Sequence, residues 1–368
     1  MRKTYTSESV CSGHPDKICD QVSDAILDEA IRGDKYSRVA VETVVTKNFI
    51  ALVGEITSKA KIDYKAIARR VIKGLGYTDP KLGFTYRSPI LVKIHRQSPE
   101  IAVGVDKLGA GDQGMMYGYA TSETKEYMPL PIIIAHKLAM KIDKLRESKK
   151  LPYLRPDGKT QVTENYSDGK PVSIETVVLA VPHDEKVQLA QVKSDLLKYC
   201  VLPVLREYGF SIKENQLVVN GTGVWHIGGP ASDTGVTGRK IIVDSYGSFA
   251  RVGGGCFSGK DPTKVDRSAA YGARYLAKNI VANGLAKKCE VRLAYFIGAQ
   301  RPVMEEVETF GTGKKSDKVI RSFMDKILDT SLKGIIDKFN LRRPIYFKTA
   351  SYGHFGRDIF PWEKVVIY

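Results

Sequence analysis

Two nine-residue runs rich in β-branched residues, Arg38–Thr46 and Phe49–Thr57, are separated only by the polar pair Lys47-Asn48. That spacing predicts an antiparallel hairpin. A helix precedes it: Pro15 and Asp16 suit a first turn, Ile18, Val22, Ile26 and Ala30 recur at spacing four, and Gly33 stops the run. A second amphipathic helix follows over about Asp63–Lys73 and ends at Gly74. A hairpin set between two helices predicts mixed α and β structure with antiparallel pairing.

The remainder continues in that style. A looser stretch from Gln97 to Gly118 leads to a helix over Pro131–Glu147, a polar segment Leu151–Lys170, a strand Ile174–Val181 and a long helix Glu185–Tyr208 broken near Pro203. Glycines crowd Gly221–Gly259. Beyond them we expect a helix over Lys264–Asn283, a strand over Glu290–Gly298 and two short terminal helices. No repeat is visible in the residues. At 368 residues the length favours two to three domains, and α+β units at 1–100, 101–225 and 226–368 are expected.

Composition excludes other classes. With 43% hydrophobic and 27% charged residues the chain is neither disordered nor fibrous. Its best apolar run, Leu130–Ala135, stops at His136-Lys137, far short of a membrane span. The opening MRKTYTSESV has no apolar stretch and does not read as a secretion signal. Five cysteines, an odd number without a CxxC pair, predict free thiols in a reducing cytoplasm.

The net charge of +16 is uneven: residues 227–368 hold 24 basic and 14 acidic side chains. An anionic partner is expected, either nucleic acid, a membrane surface or a polyphosphate. Several of these cations lie within glycine-rich segments with acidic residues between them, which favours a compact polyphosphate and its metal over nucleic acid or membrane. In Gly253–Asp266 the glycines admit backbone N–H groups to phosphate oxygens and Lys260 and Lys264 add charge. From Gly254 the spacing is GxxxxGK, yet Asp261 stands where a P-loop needs a hydroxyl, so this is no P-loop.

Asp16 and Asp266 both fall at helix starts. Taken singly, such an aspartate is more often a helix-dipole partner; the pair becomes a candidate magnesium site only if the fold unites them. A second cluster runs from Gly228 through Asp233 to Gly238-Arg239-Lys240 and an expected buried strand Ile241–Asp244. Trp225 could stack on a base or fill a core. Asp157-Gly158-Lys159 is a basic turn. His14 could donate to a leaving oxygen or merely cap its helix. No GxSxG, HExxH or Cys-His arrangement is present, so nothing is built to generate a strong nucleophile.

SGHPDK at 12–17, GAGDQG at 109–114, GRKIIVD at 238–244, GGGxFSGKDPTKVDRSAAY at 253–271 and YGHFGR at 352–357, followed by FPWE, occur in that order. Together they resemble the S-adenosylmethionine synthetase family along essentially the whole chain. The resemblance implies an α+β fold of three similar domains with pseudo-threefold symmetry, self-association as a dimer or a dimer of dimers (a homotetramer), and active sites between subunits. It implies cytoplasmic transfer of the adenosyl group: the sulfur of L-methionine attacks C5′ of ATP, and the departing triphosphate is hydrolysed to phosphate and diphosphate. A thioether needs no general base, whereas a leaving group with several charges needs positioning and electrostatic stabilisation.

Carried over by motif, His14 lies near the departing O5′. Lys159, Arg239, Lys240, Lys260 and Lys264 form the triphosphate cradle, with Asp157, Gly158 and Cys256 beside it. Asp16 and Asp266 are implied Mg²⁺ ligands, two ions per site, and Glu42 a K⁺ ligand. Glu55, Gln97, Asp233 and Lys264 are implied methionine contacts, while Asp112 and Trp225 hold the adenosine. The chain departs from the pattern in places. It is several residues short between Gln97 and Gly109, the segment that covers the site in the family. Trp225 replaces a usual phenylalanine, His226 a usual aliphatic residue and Cys256 a usual alanine. A catalytically silent regulatory member and a basic polyphosphate- or nucleic-acid-binding protein are the alternatives.

Overall fold

The structure, a computed structural model, describes residues 2–96 and 109–367. Its chain passes three times through one succession: a leading strand, a helix, a hairpin and a further helix. The first pass is β1 (Arg2–Val10), α1 (Pro15–Gly33), β2 (Arg38–Thr46), β3 (Phe49–Thr57) and α2 (Tyr64–Gly74), closed by β4 (Ile90–His95). The second is β5 (Gly114–Thr121), α3 (Leu130–Glu147), β6 (Lys159–Ser167), β7 (Lys170–Ala180) and α4 (Leu189–Leu196). A π turn (Leu197–Val201) and α5 (Leu202–Arg206) extend that helix, and β8 (Leu217–Val219) closes the pass. The third is β9 (Gly235–Val236), the single turn α6 (Ile241–Asp244), α7 (Val265–Ala282), β10 (Lys288–Tyr295), β11 (Met304–Glu308), α8 (Asp317–Ile327) and α9 (Leu332–Phe339).

Each leading strand joins the sheet of another pass. The sheet orders are β4-β3-β2-β9, β8-β7-β6-β1 and β11-β10-β5. Thus β9 pairs with β2, β1 with β6 along nine residues, and β5 with β10. The exchange is cyclic, so no unit can detach without breaking a ladder of backbone hydrogen bonds. Each sheet is covered on one face: α1 packs on β2, α3 on β1 and β6, α7 on β5 and β10. Three buried apolar clusters result, one per sheet. Gly118 permits the closest of these contacts, since a Cβ there would stand 2.0 Å from the Ala273 carbonyl carbon.

The α+β class and the first hairpin, with its bounds, agree with expectation. Other elements differ. Ile241–Asp244 is a turn of helix, not a strand: Asp244 N–H donates to the Lys240 carbonyl at 2.8 Å, and a four-residue apolar run carries no periodicity to separate the two. The polar segment before Lys170 contains β6, whose exposed face is polar. The looser stretch includes β5 from Gly114 onward, and β1 and β4 were not anticipated. The helix expected to break at Pro203 continues, because the π turn just before it widens the backbone where a proline ring would meet the preceding carbonyl.

Candidate active site

The N-terminus of α1 carries the first group of site residues. His14 is its N-cap, with extended backbone (φ −61°, ψ 140°), and its Nδ1 accepts the Asp16 N–H at 3.2 Å. Nδ1 therefore has no proton, and Nε2 is the donor. That Nε2 is buried with no hydrogen-bond partner among the described residues. Burial first, then the Lys240, Lys159 and Lys17 ammonium groups, hold the imidazole down to about 3 against the opposing pull of Asp16. At neutral pH His14 is a neutral donor that meets no acceptor among the described residues.

Asp16 stands in the first turn of α1. Its Oδ1 accepts Val236 N–H at 3.0 Å, its Oδ2 takes the Lys240 ammonium at 2.5 Å, and Arg239 Nε lies 4.0 Å away. Burial alone would raise its pKa, but the Lys240 and Val236 hydrogen bonds prevail and hold it below the ordinary carboxylate value. Close approach of β9 requires Gly235, where a Cβ would fall 2.2 Å from the Pro15 carbonyl carbon. Lys159 is exposed at the start of β6, paired in register with Val10 of β1. Beside it, Asp157 is buried and accepts Gly158 N–H at 2.7 Å and Gly229 N–H at 2.8 Å. Burial lifts its pKa to about 6 even so. Asp157 therefore holds the Gly228-Gly229 loop, which leads to the exposed Asp233. Trp225, upstream of that loop, is half-buried and its indole N–H donates to the Ile227 carbonyl at 2.8 Å, leaving ring area for a stacked base.

A second group surrounds the glycine-rich segment. Lys260 pairs with Asp266 at 2.6 Å, and Lys264 pairs with the buried Asp261. Asp261 also accepts Val39 N–H at 2.7 Å and the Thr263 hydroxyl at 2.6 Å, so it anchors the loop to β2, a role no P-loop hydroxyl could take. A Cβ at Gly255 would lie 2.9 Å from both Asp266 Oδ2 and Lys260 Nζ, so the bare backbone keeps this cradle open. Lys260, Cys256, Glu42 and Glu55 line one cavity of about 500 Å³ together with Lys93 and His95. Glu55 meets His95 at 3.5 Å. The Cys256 thiol is pushed up by burial, with Lys260 opposing. Asp112 is exposed at the entry to β5, within electrostatic reach of Lys260. Gln97 lies outside the described residues.

The structure thus joins His14, Asp16, Arg239 and Lys240 in one group, and Lys260, Asp266, Glu42, Glu55 and Cys256 in another. Asp16 and Asp266 each hold their own lysine. Among the described residues no three His, Cys, Asp or Glu side chains converge as a metal cage. His226 packs edge-on against the His183 ring at 5.2 Å, and its Nδ1 is 3.2 Å from the His183 carbonyl oxygen, which accounts for a polar ring at that position.

The α1 acidic stripe was missed from the sequence. Asp16, Asp20, Asp24 and Asp28 recur at spacing four, and each accepts backbone N–H groups from the third pass: Val236, Gly238, Gly259, and Tyr346 with Phe347. The spacing was legible, but a polar stripe at helical period ordinarily marks the solvated face, whereas 16 of the 19 residues of α1 are buried.

The whole chain matches three family models, described as the S-adenosylmethionine synthetase N-terminal domain over residues 2–99, central domain over 107–225 and C-terminal domain over 227–364. It is 50% identical over 382 residues to the S-adenosylmethionine synthase of Clostridium tetani, covering 99% of this chain and 97% of that protein. Identity is also 50% to the synthase of Pseudothermotoga lettingae over 385 residues (99% and 97%) and to that of Staphylococcus epidermidis over 383 (99% and 96%).

Proposed function

Since this chain belongs to the S-adenosylmethionine synthetase family and has its methionine adenosyltransferase activity, we propose that the two residue groups above are the two halves of its catalytic centre. The observation that carries the reading is the buried Nε2–H of His14, without a partner among the described residues, beside the Asp16–Lys240 pair. A buried donor without an acceptor is costly. The O5′ of ATP, which gains negative charge as the C5′–O5′ bond breaks, is the acceptor that fits it.

The chemistry follows from these side chains. L-methionine is held by Glu55, Gln97, Asp233 and Lys264 with its sulfur toward C5′, while Trp225 stacks on adenine and Asp112 fixes the ribose. Sulfur supplies the electron pair, and the C5′–O5′ pair leaves with the triphosphate. His14 donates a hydrogen bond to O5′. Lys159, Arg239, Lys240, Lys260 and Lys264 take the phosphate oxygens, supported by the Asp157-Gly158 turn and the backbone at Cys256. Lys240 and Lys260 each sit on a carboxylate; the ammonium groups would turn to phosphate oxygens, and Asp16 and Asp266 are the residues that would then hold the cation. Two Mg²⁺ ions would supply charge neutralisation there, with K⁺ near Glu42.

The same division supports self-association as a dimer or dimer of dimers, a second copy bringing its glycine-rich group to the first copy's His14 group. We read the chain as three units at 1–100, 101–225 and 226–368, a division supported by matches at 2–99, 107–225 and 227–364. Five free thiols suit a cytoplasmic enzyme, and no helix among the described residues is long and apolar enough to cross a membrane. The test is incubation with ATP, L-methionine, Mg²⁺ and K⁺ and separation of products. Methionine-dependent S-adenosylmethionine with diphosphate and phosphate is expected; ATP turnover to ADP indifferent to methionine would overturn the reading.

A further inference from the structure

Behind the cradle lies a charge cluster with no direct part in the chemistry above. The Lys17 ammonium is fully buried and touches two carboxylates: Asp20 Oδ2 at 2.9 Å and Asp244 Oδ1. Those carboxylates sit at opposite ends of one short segment. Asp20 Oδ1 accepts Gly238 N–H at 2.8 Å at its beginning. Asp244 is its last residue, with its own N–H on the Lys240 carbonyl at 2.8 Å and its carbonyl on His354 N–H at 2.9 Å. Between the two anchors stand Arg239 and Lys240. Lys17 is also three residues from His14, on the helix turn that presents Asp16.

We propose that Lys17, through Asp20 and Asp244, is a positioning residue for adenosyl transfer: it clamps both ends of Gly238–Asp244 and so sets where Arg239 and Lys240 meet the polyphosphate. This rests on the reading of Arg239 and Lys240 as phosphate ligands. The physical case is one of preorganisation. Electrostatic stabilisation of a departing polyanion works only if the cations are in place beforehand, because reorienting them costs part of what they contribute. Lys240 is the N-cap of a four-residue helix and Arg239 is more than half exposed, so neither is held by its own secondary structure. A buried ammonium shared by two buried carboxylates supplies that hold, since breaking either contact leaves a charge uncompensated away from water.

Asp20→Asn tests the clamp. If the Asn oxygen keeps Gly238 N–H, its NH₂ faces the Lys17 ammonium, so one of the two contacts must fail. The probe is inorganic tripolyphosphate with Mg²⁺, titrated calorimetrically into the intact parent and variant, with steady-state rates measured alongside. A folded Asp20→Asn is expected to bind tripolyphosphate about tenfold or more weakly and to lose kcat by a similar factor, with the KM for L-methionine within about twofold of the parent. A purely structural role would lower thermal stability and the fraction of active molecules while leaving tripolyphosphate affinity per active molecule intact. Asp244→Asn breaks the other end of the segment and replaces Asp20→Asn should that variant not fold. Tripolyphosphate affinity within about twofold of the parent in the folded variant would overturn the clamp. A parent without methionine-dependent product would instead overturn the functional reading, independently of either variant.

Discussion

The Arg267 guanidinium grips both carboxylate oxygens of Asp24, at 2.7 and 2.8 Å, with both side chains wholly buried. The same carboxylate accepts Gly259 N–H at 2.8 Å, and the same guanidinium donates to the Lys260 carbonyl at 3.2 Å. The pair joins α1 to α7 and fixes from behind the glycine loop that carries Lys260. Arg267→Met would strand the Asp24 charge and is expected to cost about 3–5 kcal/mol in urea unfolding at pH 7. A loss no larger than the roughly 1 kcal/mol of an exposed pair would count against it.

Lys264 precedes α7 and is anchored on Asp261, which keeps Val39 N–H and Thr263 as partners without it. Lys264→Ala should leave the protein folded, with a loss of about 1–3 kcal/mol because the buried Asp261 keeps its hydrogen bonds but not its cation, while turnover falls by about 10²–10³-fold. Near-parental turnover would remove Lys264 from the cradle.

Asp16→Asn keeps the shape and the Val236 hydrogen bond but withdraws the charge that a divalent cation would need. Rates measured across a magnesium titration are expected to saturate at about tenfold or more higher metal. An unchanged half-saturation point would exclude Asp16 as a ligand.

His136 sets a pH dependence that catalysis does not obscure. It is fully enclosed in α3, shares a 2.8 Å hydrogen bond with the Ser9 hydroxyl, and is lowered to about 3 by burial, then by Arg357 and Lys17. Between that value and the ordinary histidine value the unfolded chain binds a proton that the folded one refuses. The associated stability is present above about pH 6.5 and is lost as pH falls. Asp157, lifted to about 6, acts with the opposite sign in this window, so the comparison must be between variants. From pH 7 to pH 5 the parent should lose about 2 kcal/mol more than His136→Gln, read from urea midpoints at each pH. Equal losses would show that His136 charges in the folded state.

Local signals located many of the elements. Pro15 and Asp16 at the front of α1, Gly33 behind it and the paired β-branched runs of β2 and β3 state their own conformations, because capping and side-chain alternation are decided by neighbours within a few residues. Residue types also indicated the chemistry: glycines interleaved with Lys260, Lys264 and Asp266 point to a polyphosphate and a metal before any fold is known. The six-residue β4 and the β1 run stayed illegible, since about half of each faces outward and neither shows a clear alternation of apolar and polar residues along its length.

Tertiary structure decided the rest. No local pattern says that β1 leaves its own helix to pair with β6, or that β9 crosses to β2; those are long-range ladders whose partners lie about 150 to 190 residues away. Nor could Asp20 and Asp24 be told from a solvated stripe, because their burial depends on the third pass closing over α1 and supplying Gly238, Gly259 and Arg267 as partners. The amino-acid sequence by itself set the local elements and the inventory of charges. Only the exchanged sheets decided which charges face each other out of water, where pairing or its absence carries the largest energy.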